Sequence, residues 1–182
     1  MIHLFLAEGF EEIEALGTLD ILRRCGLNVQ TVSINKESVV SGAHGIDVNA
    51  DITWDELDLT NVENIILPGG MPGAENLRNK AELISQIKLV NKRGGIIGAI
   101  CAAPFILGTN KMLTDKRATC YPGFEKYLEG ATTTGNLAEE DGNIITGKGP
   151  GAIFAFAAKI AKRFVDSKIV DDVLNGMIAK SE

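Results

Sequence analysis

Short, almost wholly apolar segments recur along the chain, and each is followed by a glycine-containing turn and a helical pattern. Residues 2–7, 64–67 and 96–100 lack polar alternation and are too short for core helices, which is typical of strands buried on both faces. Strands of this kind that alternate with helices predict a parallel sheet covered by helices on both sides. The sequence therefore predicts an α/β fold with a mostly parallel sheet.

The remaining pattern predicts one domain over residues 1–182, because the length suits a single core and no linker or repeat interrupts it. In the first predicted helix, which Gly26 ends, five positions recur at helical spacing: Ile13, Leu16, Leu19 (or Asp20), Leu22 and Cys25. We predict helices over 11–25, 80–92, 102–110, 152–164 and 169–180, further strands at 27–34, 118–120 and 144–146, and a small β excursion at 39–40 and 46–48.

Charge and cysteine usage exclude several classes of protein. The net charge of −6 without basic clusters argues against nucleic acid or an anionic membrane as a partner, and the apolar runs are too short to span a bilayer. Cys25, Cys101 and Cys120 are too widely spaced for a disulfide framework or a zinc site, and His3 and His44 are the only histidines. With no signal peptide in the pattern, we expect a cytoplasmic protein without metal or cofactor.

Cys101 lies between a predicted buried strand and a predicted helix, with small residues on both sides in Gly98-Ala-Ile-Cys-Ala-Ala-Pro104. This pattern is typical of a nucleophile elbow, a strained turn that exposes its nucleophile at the top of a sheet. The N–H groups at the start of the next helix favour a thiolate. The alternative is a buried structural cysteine, as we expect for Cys25 and Cys120.

Two more loops fall at the same sheet edge. The N–H groups of Gly70, in Pro68-Gly69-Gly70, and of Ala102 are candidates for an oxyanion hole, although Pro-Gly-Gly alone also fits a plain turn. Glu14 is expected to be protonated by burial and to donate a hydrogen bond to the cysteine sulfur. For its neighbours Glu11 and Glu12 we expect an ordinary solvated helix N-terminus.

Four segments in order along nearly the whole chain resemble the ThiJ/PfpI superfamily, in its Parkinson-disease-protein (DJ-one) branch. They are the glutamate motif that ends at Glu14, the glycine turn at 66–77, the elbow at 99–104 and the late turn at 146–151. The elbow is specific alone, and the others are specific in combination.

The resemblance implies a flavodoxin-like three-layer sandwich and a homodimer. It implies that Cys101 is the reactive thiol, with Glu14 as its protonated partner and Gly69 in the pocket. It also places Arg24 at the dimer interface near the site, His44 where many relatives have an arginine that crosses the interface, and Pro150 where a proline of the partner subunit lines the pocket.

Tyr121, in Thr119-Cys-Tyr-Pro-Gly123, stands where glyoxalase-active members of the family have a histidine. No histidine follows Cys101 in this chain, so a Cys–His dyad is absent. Related glutamine amidotransferases and intracellular peptidases need that histidine, which argues against both activities.

Two function classes remain open. The first is a cysteine-dependent glyoxalase or deglycase, a stress enzyme that acts on methylglyoxal-type aldehydes without a cofactor and is slowed by Tyr121. The second is a redox sensor or chaperone-like protective protein that works through oxidation of Cys101.

Overall fold

The computed structural model describes residues 1–179 as eleven strands and six α-helices. The strands are β1 Ile2–Leu6, β2 Val29–Ser33, β3 Val39–Ser41, β4 Asp47–Asn49, β5 Ile52–Thr53, β6 Asn64–Leu67, β7 Ile97–Ile100, β8 Arg117–Ala118, β9 Thr132–Thr133, β10 Ala138–Asp141 and β11 Ile144–Gly147. The helices are α1 Thr18–Arg24, α2 Gly73–Asn79, α3 Ala81–Lys92, α4 Pro104–Thr109, α5 Ile153–Ala161 and α6 Ser167–Gly176. A π-helical turn, Ile13–Gly17, precedes α1.

Seven of these strands form one sheet in the order β10-β11-β7-β6-β1-β2-β5. All neighbours pair in parallel except β10 and β11, which are antiparallel. The predicted α/β fold with a mostly parallel sheet is therefore confirmed. β3 and β4 form a separate antiparallel hairpin, as the excursion at 39–48 predicts.

The sheet has a hydrophobic core on each face because successive side chains of a strand point to opposite sides. In β1, Phe5 packs in the core beneath α2, α3 and α4, whereas Leu4 and Leu6 pack in the core beneath α1, α5 and α6. Strand β6 alternates in the same way, with Ile65 and Leu67 on the first side and Ile66 on the second. Three layers result, as the family resemblance implies.

The first predicted helix has a different register from the one that its apolar spacing suggests. Ile13 is 56% exposed and Leu16 and Leu19 are half-buried, whereas Glu14 and Ala15 are buried. The cause is the π-helical turn, which adds a residue to the turn and rotates the following side chains relative to a regular α-helix.

Other differences follow from weak local signals. Helix α2 was not predicted, because it buries only Gly73, Ala74 and Leu77 and lacks a wide apolar stripe. The predicted strand at 118–120 is reduced to β8, which pairs with β9 outside the main sheet. The last predicted helix extends to residue 180, which lies outside the described residues; the described part of α6 ends at Gly176.

The topology brings three connections to one place. Strands β1, β6 and β7 are neighbours in the sheet and run in the same direction, so the loops at their carboxyl ends lie side by side. These loops carry the glutamate motif, the Pro68-Gly69-Gly70 turn and Cys101. Among residues 1–179, no helix combines the length and apolar character that crossing a bilayer requires.

Candidate active site

Cys101 occupies a sharp turn between β7 and α4, and its φ angle is 64°. This left-handed conformation is strained for a residue with a side chain, at a cost of about 1–3 kcal/mol. Two backbone hydrogen bonds hold it: the Cys101 N–H donates to the Gly147 carbonyl at 2.8 Å, and the Cys101 carbonyl accepts from the Tyr121 N–H at 2.8 Å. The turn has the geometry that the nucleophile-elbow pattern predicts.

The thiol itself is not exposed as that pattern suggests. Cys101 is 8% exposed and packs with the core beneath α1, α5 and α6. Burial raises its pKa, and the Glu14 carboxylate raises it further, whereas the N–H groups of Ala102 and Gly70 lower it. The loss of solvent on burial has a larger effect on this pKa than the two N–H groups, which the sequence pattern alone does not show.

Glu14 is fully buried in the π-helical turn. Its Oε2 accepts the Gly69 N–H at 2.8 Å, while Oε1 has no conventional hydrogen-bond partner among the described residues. Burial raises the pKa of Glu14 to about 7, although interactions with the Cys101 thiol and the Gly69 N–H lower it. Near neutral pH the carboxyl is therefore partly protonated, in the direction that the sequence predicts.

The two groups titrate together because each negative charge disfavours the other. Once the pair has lost its first proton, it carries one negative charge, on either the carboxyl oxygen or the sulfur. A thiolate forms at least cost while Glu14 keeps its proton and donates it toward the sulfur.

Gly69 lies where these groups meet. A Cβ atom at this position would lie 2.7 Å from the Cys101 Cβ, 2.7 Å from Glu14 Oε2 and 3.0 Å from the Ala102 nitrogen. Only a residue without a side chain lets the three come this close. Gly70, with φ of 86°, is packed equally tightly against the backbone of residues 9–11.

The N–H groups of Gly70 and Ala102 both interact with the Cys101 sulfur. Neither donates to a backbone carbonyl among the described residues, so the two N–H groups lie near the sulfur without a backbone acceptor. This is the arrangement that an oxyanion hole requires.

Tyr121 lies at the open side of the turn. Its N–H binds the Cys101 carbonyl, and 47% of the residue is exposed. A Cβ at Gly149 would lie 3.3 Å from the tyrosine ring, so the ring covers the backbone next to Pro150, which begins a short 3-10 turn.

Two predicted pocket residues form ion pairs elsewhere within the single chain. Arg24, at the end of α1, binds Asp20 at 2.7 Å, and both side chains are exposed. The His44 Nδ1 atom lies 2.7 Å from Glu12 Oε2. Whether Arg24 or His44 approaches the pocket of a partner subunit stays a prediction.

The expectation for Glu11 and Glu12 is wrong, since Glu11 is 8% exposed and Glu12 is 5% exposed. Glu11 Oε2 accepts the Glu14 N–H at 2.6 Å, and Glu12 packs against the turn that carries His44. That turn lies about thirty residues along the chain, so no local sequence signal could have shown the burial.

The raised pKa of Glu14 makes stability depend on pH. The pKa of Glu14 is 4.5 in the unfolded state, the ordinary value, and about 7 in the folded state. Between these two pH values the folded protein keeps a proton on Glu14 that the unfolded protein releases. The bound proton contributes about 3 kcal/mol to the free energy of unfolding below pH 4.5, and this contribution is lost as pH rises to 7. Urea unfolding from pH 5 to 8 should show this decline in the wild type and a flatter profile in Glu14→Gln.

The matched control is Glu129→Gln, at an exposed position. It should keep the pH profile of the wild type. Parallel profiles for the wild type and Glu14→Gln would contradict the assignment of the raised pKa to Glu14.

Comparison with known proteins shows the family to which this chain belongs. The model of the DJ-1/PfpI family matches residues 1–163. A DJ-1 superfamily protein from Salmonella typhimurium, solved as a cysteine-to-alanine mutant, superposes with a TM-score of 0.94 at 31% identity, over 99% of this chain and 98% of that one. Drosophila melanogaster DJ-1beta superposes with a TM-score of 0.92 at 28% identity, over 99% and 98% of the two chains.

Two curated relatives with DJ-1-type names are similar to this chain over most of its length. Protein DJ-1 homolog B of Arabidopsis thaliana is 34% identical over 96% of this chain, which spans only 40% of that protein's length. The glutathione-independent glyoxalase DJR-1.2 of Caenorhabditis elegans is 36% identical over 85% of this chain and 83% of its own length. The family match, which covers every site residue described above, and these identities identify the chain as a member of the DJ-1/PfpI family.

Proposed function

We propose that the protein is a cofactor-independent glyoxalase, with related deglycase activity, that acts on methylglyoxal-type aldehydes. The observation that carries the proposal is the close packing around Gly69, where an added Cβ would lie 2.7 Å from the Cys101 Cβ, 2.7 Å from Glu14 Oε2 and 3.0 Å from the Ala102 nitrogen. A relative named as a glutathione-independent glyoxalase, 36% identical to this chain, supports the same reaction class.

In the proposed reaction, the Glu14–Cys101 pair holds one proton, on Glu14, and the Cys101 thiolate adds to the aldehyde carbon of methylglyoxal to form a hemithioacetal. The N–H groups of Gly70 and Ala102 stabilise the oxygen that becomes negative. Glu14 supplies the proton that this oxygen needs, because its raised pKa keeps part of the population protonated at neutral pH.

The carboxylate that remains then moves a proton from the former aldehyde carbon to the neighbouring ketone carbon. The hydroxyl proton of the hemithioacetal passes to the ketone oxygen at the same stage. The first carbon is thereby oxidised to a thioester and the second is reduced to an alcohol, so no external oxidant or reductant is required. Water hydrolyses the thioester to lactate and the Cys101 thiolate. Of the two protons that this step sets free, one returns to Glu14 and the other is released. Methylglyoxal and water are consumed, and one lactate and one proton are formed.

The cysteine and its supporting glycine give a direct test. Cys101→Ser should abolish methylglyoxal turnover, because a hydroxyl is a far weaker nucleophile at neutral pH. Gly69→Ala should lower turnover by about 100-fold, since its methyl group would displace Cys101 and Glu14. Turnover is measured as loss of methylglyoxal by purified protein.

Gly176→Ala is the matched control, because no heavy atom lies within 4 Å of its added methyl group, on α6. It should match the wild type. Full activity of Cys101→Ser would rule out the proposed nucleophile.

Tyr121 sets the expected rate. A tyrosine hydroxyl is a poor base at neutral pH, so Glu14 or water must move the protons. An imidazole accepts and returns protons near pH 7. General acid–base catalysis of this kind typically raises a reaction rate by about 10²–10⁴-fold. Tyr121→His should therefore raise methylglyoxal turnover, and the gain should disappear in Tyr121→His combined with Cys101→Ser. Absence of turnover in both the wild type and Tyr121→His would instead favour the redox-sensor function.

We also propose that the active form is a homodimer built on the surface around the π-helical turn. Ile13 and Ile46 are 56% and 52% exposed, and they belong to the two segments that the Glu12–His44 contact joins. Exposed apolar side chains of this size suit an interface with a second copy. His44, Arg24 and Pro150 would then lie near the partner's pocket, as the family resemblance implies.

Light scattering coupled to size exclusion should report about twice the chain mass for the wild type. Ile13→Lys should shift this population toward monomer, because a buried lysine would have no partner. Leu89→Lys is the control, since Leu89 is also exposed but belongs to α3 on the opposite side of the sheet. A monomeric wild type, or equal effects of the two lysines, would refute this interface.

A further inference from the structure

A closed ring of three hydrogen bonds joins Glu11, Gly69 and Glu14. The Glu11 N–H donates to the Gly69 carbonyl at 3.0 Å. The Gly69 N–H donates to Glu14 Oε2 at 2.8 Å, and the Glu14 N–H donates to Glu11 Oε2 at 2.6 Å. Each residue donates one backbone N–H and accepts one bond, so the position of each depends on the other two.

The Glu11 carboxylate supplies an acceptor that the backbone lacks. The Glu14 N–H lies in the first turn of the π-helical segment, where N–H groups have no carbonyl of the same helix to bind. Glu11 Oε2, three residues earlier in the chain, accepts this N–H. A hydrogen bond to an ionised carboxylate is stronger than one between neutral groups. Glu11 therefore fixes the backbone of Glu14, while the Gly69 N–H fixes the far end of its side chain.

The ring of hydrogen bonds lies inside the subunit. Glu11 is 8% exposed, Glu14 is fully buried, and the two bonds that involve their side chains are buried. All three donors and all three acceptors belong to one chain. The ring therefore needs neither solvent nor a partner subunit, and a second copy on the neighbouring surface leaves it in place.

The direction of the Glu14 carboxyl decides how well it shares a proton with Cys101. The carboxyl forms a hydrogen bond with the thiol, and a proton held on Glu14 and directed at the sulfur stabilises a thiolate. A hydrogen bond weakens steeply when its donor turns away from the acceptor. A group that fixes the backbone from which this side chain projects therefore controls the charge on the sulfur.

We propose that Glu11 is a positioning residue, which holds the backbone of Glu14 so that the Glu14 carboxyl faces the Cys101 sulfur. This role rests on the proposed function, in which Glu14 carries the proton. The negative charge of Glu11 has a second effect, because it raises the pKa of Glu14. The other titratable groups that face these two glutamates are Cys101, from the turn after β7, and His44.

Two replacements of similar length separate the hydrogen bond of Glu11 from its charge. Glu11→Gln removes the charge and keeps a side-chain oxygen that can accept the Glu14 N–H, whereas Glu11→Met removes both. The difference between the two variants therefore reports the hydrogen bond alone. We expect kcat for methylglyoxal to be about 10–100-fold lower in Glu11→Met than in Glu11→Gln, with KM little changed, because a misdirected catalytic group slows the chemical step.

Alkylation of Cys101 by iodoacetamide at pH 7 gives a second measurement, which does not depend on turnover. Peptide mass spectrometry distinguishes Cys101 from the other two cysteines. The thiolate is the form that reacts, so alkylation should be about 10-fold slower in Glu11→Met than in Glu11→Gln. A wild type without methylglyoxal turnover would refute the proposed function, and the two alkylation rates would still decide the role of Glu11.

Glu56→Met is the matched control. The Glu56 carboxylate also accepts a backbone N–H, that of Thr53 at 2.8 Å, and it caps a short turn after β5, which three strands separate from β7. This variant should keep the kcat and the alkylation rate of the wild type. Circular dichroism shows whether each variant folds, and Glu11→Ala replaces Glu11→Met if that protein is misfolded. Equal alkylation rates in Glu11→Gln and Glu11→Met, or the same loss in Glu56→Met, would overturn the proposal.

Discussion

The absence of a side chain at Gly69 is the constraint on which the site depends. The backbone after β6 passes so close to Cys101, Glu14 and Ala102 that a single methyl group would collide with all three. The same close approach lets the Gly69 N–H hold Glu14 Oε2 at 2.8 Å. Parallel pairing of β1, β6 and β7 brings the three loops together, and the glycine allows them to touch.

This arrangement is costly for the fold. Cys101 has a strained φ of 64°, and Glu14 is a fully buried acid with one unpartnered oxygen. Two hydrophobic cores, one on each face of the sheet, offset these costs. Residues such as Phe156, which is fully buried beneath the sheet, contribute much of that stability, and the strain remains concentrated in the turn that carries Cys101.

Local patterns predicted the parts of the molecule that depend on local chemistry. The strands that became β1, β6 and β7 are apolar runs of the right length, and the small residues around Cys101 predicted its turn. Solvent access was not predictable in this way. The burial of Glu11 and Glu12 comes from a turn about thirty residues away, and that of Cys101 from packing against the helical layer. The π-helical turn likewise shifts Ile13 to the surface against its apolar spacing.

The burial of Cys101, which the sequence pattern did not predict, changes what controls the charge on its sulfur. An exposed Cys101 would owe its reactivity to the N–H groups around it, whereas the buried thiol has a raised pKa and depends on the state of its neighbour. Glu14, with a pKa of about 7, can therefore both control the charge on the sulfur and carry protons during a reaction. Its pKa lies near neutral pH, so this carboxyl can do both at the pH of the cell interior or of an ordinary assay. The burial that hides Glu14 from solvent is thus also what suits it to this role.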